Sequence, residues 1–178
     1  MSILAFDFST SNAGMSFEIN GEYKSTSFSS KGAEANPKCS HCVVGHVKSA
    51  SKVCAVDRTQ YIIKQYFEYM DALGLSYFDF DDVVFEELLN IRNKKSAITS
   101  ALCQGLFRQA IGYPSVVTMT PSQWRSKLGY TGIKGRDNQK AEALIRYEKM
   151  TGIKTKDDDL AESFLILKAF EIMKKEEK

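Results

Sequence analysis

The sequence predicts an α/β domain: a mixed five-stranded sheet flanked by helices. Two observations lead there. Up to Phe28 the chain alternates in the manner of an antiparallel three-strand meander. Beyond Asp57 it changes to strand and helix by turns, which adds parallel strands and covers the sheet's faces with helices. Element order alone does not choose among the members of this class.

The elements follow in order. Ile3 to Phe8 is a short apolar run broken by one acid, read as a buried strand. Gly14 to Ile19 and Glu22 to Phe28 alternate around Asn20-Gly21, a strong short hairpin signal. From Ser29 to Val56 the pattern dissolves into Ser, Lys, Gly, Ala and Cys without a period, an insertion or long loop. Asp57 then caps a helix in which Ile62, Ile63, Tyr66, Phe67, Met70 and Leu73 recur at helical spacing, ending at Gly74. Val83 to Glu86 makes a fourth strand. Ser96 to Ile111 is a helix carrying Ala97, Ile98, Ala101, Leu102, Gly105 and Leu106 on one face. Ser115 to Met119 is a β-branched fifth strand. Thr120-Pro-Ser-Gln123 reads as a capping box with proline at the first helical position, opening a short helix that stops at Gly129. Asp137 to Met150 and Asp158 to Lys174 complete the set.

The 178 residues suit one domain, taken as 1–178 with an insertion at about 29–56. A hydrophobic share of 43% and an aromatic share of 11% are ordinary for a globular protein. The net charge of +2 does not announce a nucleic-acid binder, so such a surface would rest on local clusters of Lys and Arg. Asp7 interrupts the opening apolar run, so no signal peptide is expected, and no run reaches the roughly 18 apolar residues of a membrane span. A cytoplasmic, reducing location is therefore expected, without a disulfide framework for the four cysteines.

Four carboxylates stand where a solvated charge is out of place. Asp7 lies between Phe6 and Phe8, Glu86 ends the fourth strand, and Asp159 and Glu162 are three apart on one face of the last helix. Unpaired buried carboxylates are costly and repel one another. Divalent cations make such a cluster tolerable, and Mg²⁺ or Mn²⁺ prefers oxygen ligands. Two ions about 3.5–4 Å apart would clamp the attacking and departing oxygens of a phosphodiester. On this expectation Asp7 bridges both ions, Glu86 holds one, and Asp159 with Glu162 the other. A lone acid can instead be salt-bridged or serve a helix dipole. That is the reading for Asp157 and Asp158, but four positions would need four separate accounts.

Three segments carry a resemblance. Phe-Asp7-Phe-Ser-Thr-Ser-Asn-Ala-Gly, Val-Val-Phe-Glu86-Glu-Leu-Leu-Asn-Ile-Arg-Asn-Lys-Lys-Ser-Ala and Asp158-Asp159-Leu-Ala-Glu162-Ser resemble, in family order, the catalytic segments of RuvC-type Holliday junction resolvases, here of a phage- or poxvirus-like branch. The resemblance implies a ribonuclease H-like fold and a Mg²⁺-dependent endonuclease acting on four-way DNA junctions. It also implies a homodimer that cuts twice about a twofold axis, and a catalytic role for Lys140 at the phosphate. Two departures stand out. Glu162 occupies a position where Asp is usual, and Leu89 one where a junction-stacking aromatic is usual. Glu87 competes with Glu86 for the ligand role, and strand alternation turns only one of them inward.

Further features bear on partners. Arg92, Lys94 and Lys95 form one basic cluster and Lys134, Arg136 and Lys140 another, either DNA contacts or solvated faces. Ala97, Ala101 and Gly105 form a smooth stripe that serves either a dimer or packing on the protein's own sheet. Both histidines and three of the four cysteines fall in the insertion. Cys39, Cys42, His46 and Cys54 offer a ligand set for a structural Zn²⁺, with a metal-free loop as the alternative. Other readings of the whole chain are a related nuclease acting on flaps, other branched DNA or RNA, and a DNA-binding module without catalysis. An actin-like or sugar-kinase-like ATPase also opens on Asp-x-x-Thr-Ser, but needs two such domains.

Overall fold

The computed structural model describes residues 2–34, 53–87, 94–112, 116–130 and 132–177, with the side chains of Lys94 and Lys95 excepted. Strands β1 (Ile3–Phe8), β2 (Asn12–Ile19) and β3 (Glu22–Ser29) form the expected meander, and Asn20 and Gly21 turn the hairpin with φ of 53° and 84°. Two successive positive φ values are what a type I′ turn requires. Helix α1 (Ala55–Leu73) follows, then β4 (Asp82–Glu86), α2 (Lys94–Ala110), β5 (Val117–Met119), α3 (Pro121–Lys127), α4 (Arg136–Thr151) and α5 (Asp158–Glu176). The sheet order is β3-β2-β1-β4-β5, with β1 antiparallel to β2 and parallel to β4. The predicted mixed five-stranded sheet with flanking helices is thus the observed one.

Strand alternation divides the core into two layers. Leu4, Phe6, Phe8 and Phe85 face α1 and α2, meeting Ile62, Tyr66, Met70, Cys103 and Phe107. Ile3, Ala5 and Val84 face the other way, toward Trp124 of α3 and the apolar length of α5. From Ala161 to Phe170 nearly every residue of α5 is buried, Glu162 included. A helix apolar on all sides is an interior one. It lies on the sheet beneath α3 and α4.

Gly14 permits the closest approach. A Cβ at this position would stand 1.8 Å from the carbonyl oxygen of Asp159, so the first turn of α5 rests directly on the β2 backbone. Two residues along the same face, Ser16 and Ser163 join hydroxyls at 2.9 Å.

Some boundaries and faces differ from the sequence expectation. Helix α1 starts at Ala55 and is capped by Cys54, whose sulfur accepts the Asp57 N–H at 3.4 Å. Asp57 sits in the first turn, where its charge complements the helix dipole. On α2 the buried side chains are Cys103, Gln104 and Phe107, while Ile98 and Leu102 are 61% and 43% exposed. The stripe expected to pack or pair is therefore mostly outward, and Ala101 and Gly105 are exposed with it. The capping box of α3 is as expected: Thr120 Oγ1 accepts the Gln123 N–H at 3.1 Å, and Gln123 Oε1 accepts the Thr120 N–H at 2.8 Å. Cys39, Cys42, His46, Leu89 and Arg92 lie outside the described residues, as do the Lys94 and Lys95 side chains. Among the described residues no helix is long and apolar enough to cross a membrane.

Candidate active site

The four acids converge. Asp7 is the last residue of β1 on the α5 face, and Glu86 ends β4 on the same face. The register places them side by side, one step beyond the paired Phe6 and Phe85. The parallel strands therefore deliver two carboxylates together at their C-terminal ends, where open α/β sheets place their ligands. Helix α5 begins over this edge and brings Asp159 and Glu162 down onto it. All four line one cleft of about 380 Å³, together with Glu87, Arg136 and Lys140.

Asp159, Glu86 and Glu162 are each held by an identifiable partner. Asn12 Nδ2 donates to Asp159 Oδ2 at 2.8 Å, and the Ser9 turn fixes Asn12 in turn: its Oγ donates to the Asn12 carbonyl at 2.6 Å and accepts the Asn12 N–H at 3.1 Å. The Trp124 indole N–H donates to Glu86 Oε1 at 2.9 Å, and Gln104 Nε2 donates to the Glu86 carbonyl at 3.1 Å. Arg125 donates to Glu162 Oε1 at 3.1 Å. Asp157 caps α5 by accepting the Leu160 N–H at 3.0 Å, and Asp158 pairs with Lys140. The helix-end reading thus describes both, Asp157 as the cap and Asp158 in the first turn, and Asp158 has in addition a cation partner beside the cleft.

Asp7 is 9% exposed and faces three other acids. Burial, then the negative charges of Glu86, Glu162 and Asp159, push its carboxyl well above the usual range, and it shares a hydrogen bond with Glu162. Burial also raises Glu86, against the opposing pull of the Trp124 hydrogen bond and of Arg125 and Arg136. Desolvated acids with too few cations among them form a site short of positive charge. Among the described residues, no three Asp, Glu, His or Cys side chains already stand in the arrangement of a formed metal site. The donor set nevertheless suits a hard divalent ion: all four groups offer oxygen, and the charges that weigh most on Asp7 are those of the other three acids.

Of the residues singled out from the sequence, Asp7, Glu86, Asp159, Glu162, Arg136 and Lys140 are brought together. Lys134 is exposed on the loop before α4 and does not line the cleft. Cys54 is the helix cap described above. Asn12, Gly14, Trp124 and Arg125 escaped sequence reasoning. The only tryptophan in the chain, directly after a capping box, was the available clue for one of them.

The family described as Lactococcus phage M3 protein (DUF3882) has a model that matches residues 1–172. Among curated protein sequences none matches. Of solved structures, Thermus thermophilus RuvC in complex with Holliday junction substrate aligns with a TM-score of 0.64 at 15% identity, covering 98% of this chain and 95% of that one. A second Thermus thermophilus RuvC structure aligns with a TM-score of 0.56 at 16% identity, over 98% and 96%. At that identity the likeness establishes the fold, the ribonuclease H-like fold of RuvC.

Proposed function

This chain belongs to the Lactococcus phage M3 protein family and has the fold of RuvC; on that premise we propose that it is a divalent-metal-dependent endonuclease that resolves four-way DNA junctions. The observation that carries the proposal is the convergence of Asp7, Glu86, Asp159 and Glu162 from β1, β4 and α5 into one cleft that also presents Arg136 and Lys140. The structural neighbour bound to a Holliday junction adds the substrate.

Asp7, Glu86, Asp159 and Glu162 would hold Mg²⁺ or Mn²⁺. When bound, the ions supply an acidified water and charge at the scissile phosphodiester. The chain's own residues do the rest. Glu86 and Asp7 present carboxylates from rigid strand ends, so their positions do not depend on a loop. Arg136 and Lys140, one turn apart on α4, offer cations to the phosphates on either side of the scissile bond. Lys140 now pairs with Asp158 and would exchange that partner for a phosphate oxygen. Lys134, exposed on the loop before α4, would extend the basic track, and Arg92, Lys94 and Lys95 are proposed as further DNA contacts from the sequence alone. Two symmetric cuts need two sites, and the exposed Ile98, Ala101, Leu102 and Gly105 face of α2 is the surface on which a second copy would dock.

The test compares a synthetic four-way junction, a linear duplex and a single strand, each with Mg²⁺, Mn²⁺ or EDTA. Cleavage confined to the junction and abolished by EDTA is expected. Equal cutting of all three substrates would leave a nuclease but remove junction resolution. Cleavage of the junction by the Asp7→Asn variant at the wild-type rate would remove the catalytic assignment.

A further inference from the structure

Two consecutive residues of α3 each hold one of the acids. Trp124 is fully buried, and its indole N–H meets one oxygen of Glu86 at 2.9 Å. The Arg125 guanidinium lies over the same indole, 4.7 Å from the ring centroid, and meets one oxygen of Glu162 at 3.1 Å. Its other terminal nitrogen donates to Gln139 of α4 at 3.1 Å, so Arg125 ties together α3, α4 and α5.

The pair itself is fixed in place. The Thr120–Gln123 capping box and Pro121 set the start of α3. Its far end is gripped by Arg146, which donates to the Leu128 carbonyl, and by the Lys127–Glu176 pair. Tyr130 packs edge-on against the Trp124 ring at 5.5 Å. Glu86 and Glu162 thus have one oxygen each assigned to a rigid donor, which sets the direction in which the other oxygen points.

We infer that Trp124 and Arg125 are positioning residues, which orient Glu86 and Glu162 so that their remaining oxygens face Asp7 and receive the divalent ion. The inference rests on the proposal above that these acids are ion ligands. Groups that orient metal ligands in this way are typically worth about 10–100-fold in affinity or activity. Arg125 makes the claim sharp, because orientation and charge predict opposite signs. As a mere counter-cation, Arg125 would compete with the ion, and Arg125→Gln would bind the ion more tightly. As a positioning residue it helps to build the site, and Arg125→Gln binds the ion more weakly.

The experiment titrates the DNA-free protein with MgCl₂ and MnCl₂ by calorimetry, with thermal unfolding in EDTA as the check on folding. Trp124→Phe keeps an aromatic ring and deletes the donor, whereas Arg125→Gln deletes charge and fork together. Both are expected to weaken ion binding about tenfold or more, and Arg125→Lys, which restores charge without the planar fork, is expected to recover only part of the loss. Wild-type affinity in Trp124→Phe, or equal or tighter binding in Arg125→Gln, overturns the inference. Should the variants not fold, the wild-type protein decides. Trp124 is the only tryptophan, so its emission is expected to change with the same midpoint as the calorimetric signal. Ion binding with no change in emission overturns the inference alone. No ion binding by the wild-type protein at all would instead remove the reading on which it rests.

Discussion

Replacing Gly14 with alanine adds one carbon at the most crowded point beside the cleft. That carbon would lie 1.8 Å from the Asp159 carbonyl oxygen, 2.4 Å from its carbonyl carbon and 3.0 Å from the Leu160 nitrogen. Merely reaching 3.0 Å requires a displacement of at least 3.0 − 1.8 = 1.2 Å. The opposing atoms are backbone, so no rotamer change relieves the clash, and α5 cannot slide because it is buried along most of its length. Overpacking of this kind costs about 1–3 kcal/mol, or roughly 2–4 °C of melting temperature per kcal/mol in a chain of this size. The group forced aside carries Asp159 itself, and a misplacement of about 1 Å can lower a catalytic rate about 100-fold. Single-turnover junction cleavage and thermal unfolding, measured on the same preparation, test both halves. Unchanged melting and unchanged cleavage would refute the packing argument. Lower melting with wild-type cleavage would keep the packing and refute the role given to Asp159.

Three further outcomes are expected. In EDTA, Asp7→Asn raises the melting temperature at neutral pH. The folded protein holds the Asp7 carboxyl well above its unfolded value, so the native state is fully favoured below the unfolded value and loses stability as pH rises through the folded one. Each unit of that separation is worth about 1.4 kcal/mol, the gain should shrink toward pH 4, and melting that is identical at neutral pH would contradict it. Replacing Arg136 with alanine lowers junction affinity and flattens the plot of log affinity against log salt by about one unit, whereas an unchanged slope would place Arg136 off the phosphates. Leu102→Glu puts a charge in the exposed apolar face of α2 and should give a species of monomer mass in sedimentation; if the wild-type protein is itself a monomer, that face serves something else.

Much of this architecture was legible because it is written locally. The Asn20-Gly21 hairpin, the Thr120–Gln123 capping box and the helical period of α1 each depend on residues a few positions apart, and each appears where expected. The acids were legible for a different reason: a carboxylate within an apolar run calls for an explanation wherever the run folds. Other features depended on partners remote in sequence. Cys54 displaced Asp57 as the cap of α1 because sulfur could accept the N–H from one turn earlier, a contact that helix-cap preferences rank low. The apolar stripe of α2 faces outward while Cys103, Gln104 and Phe107 turn to the core, and periodicity alone did not separate two adjoining faces. Asn12 meets Asp159 across 147 positions and Trp124 meets Glu86 across 38, distances at which no local pattern speaks.

The placement of α5 has a consequence for how the protein is made. Strand β1 leaves the ribosome well before α5, the helix that roofs one of its faces. Until that helix emerges, Ile3, Ala5 and Val84 lack much of their cover on that side, and Asp7 and Glu86 stand without their two companions. A nascent chain therefore carries a sticky half-core and an incomplete set of acids until α5 has formed.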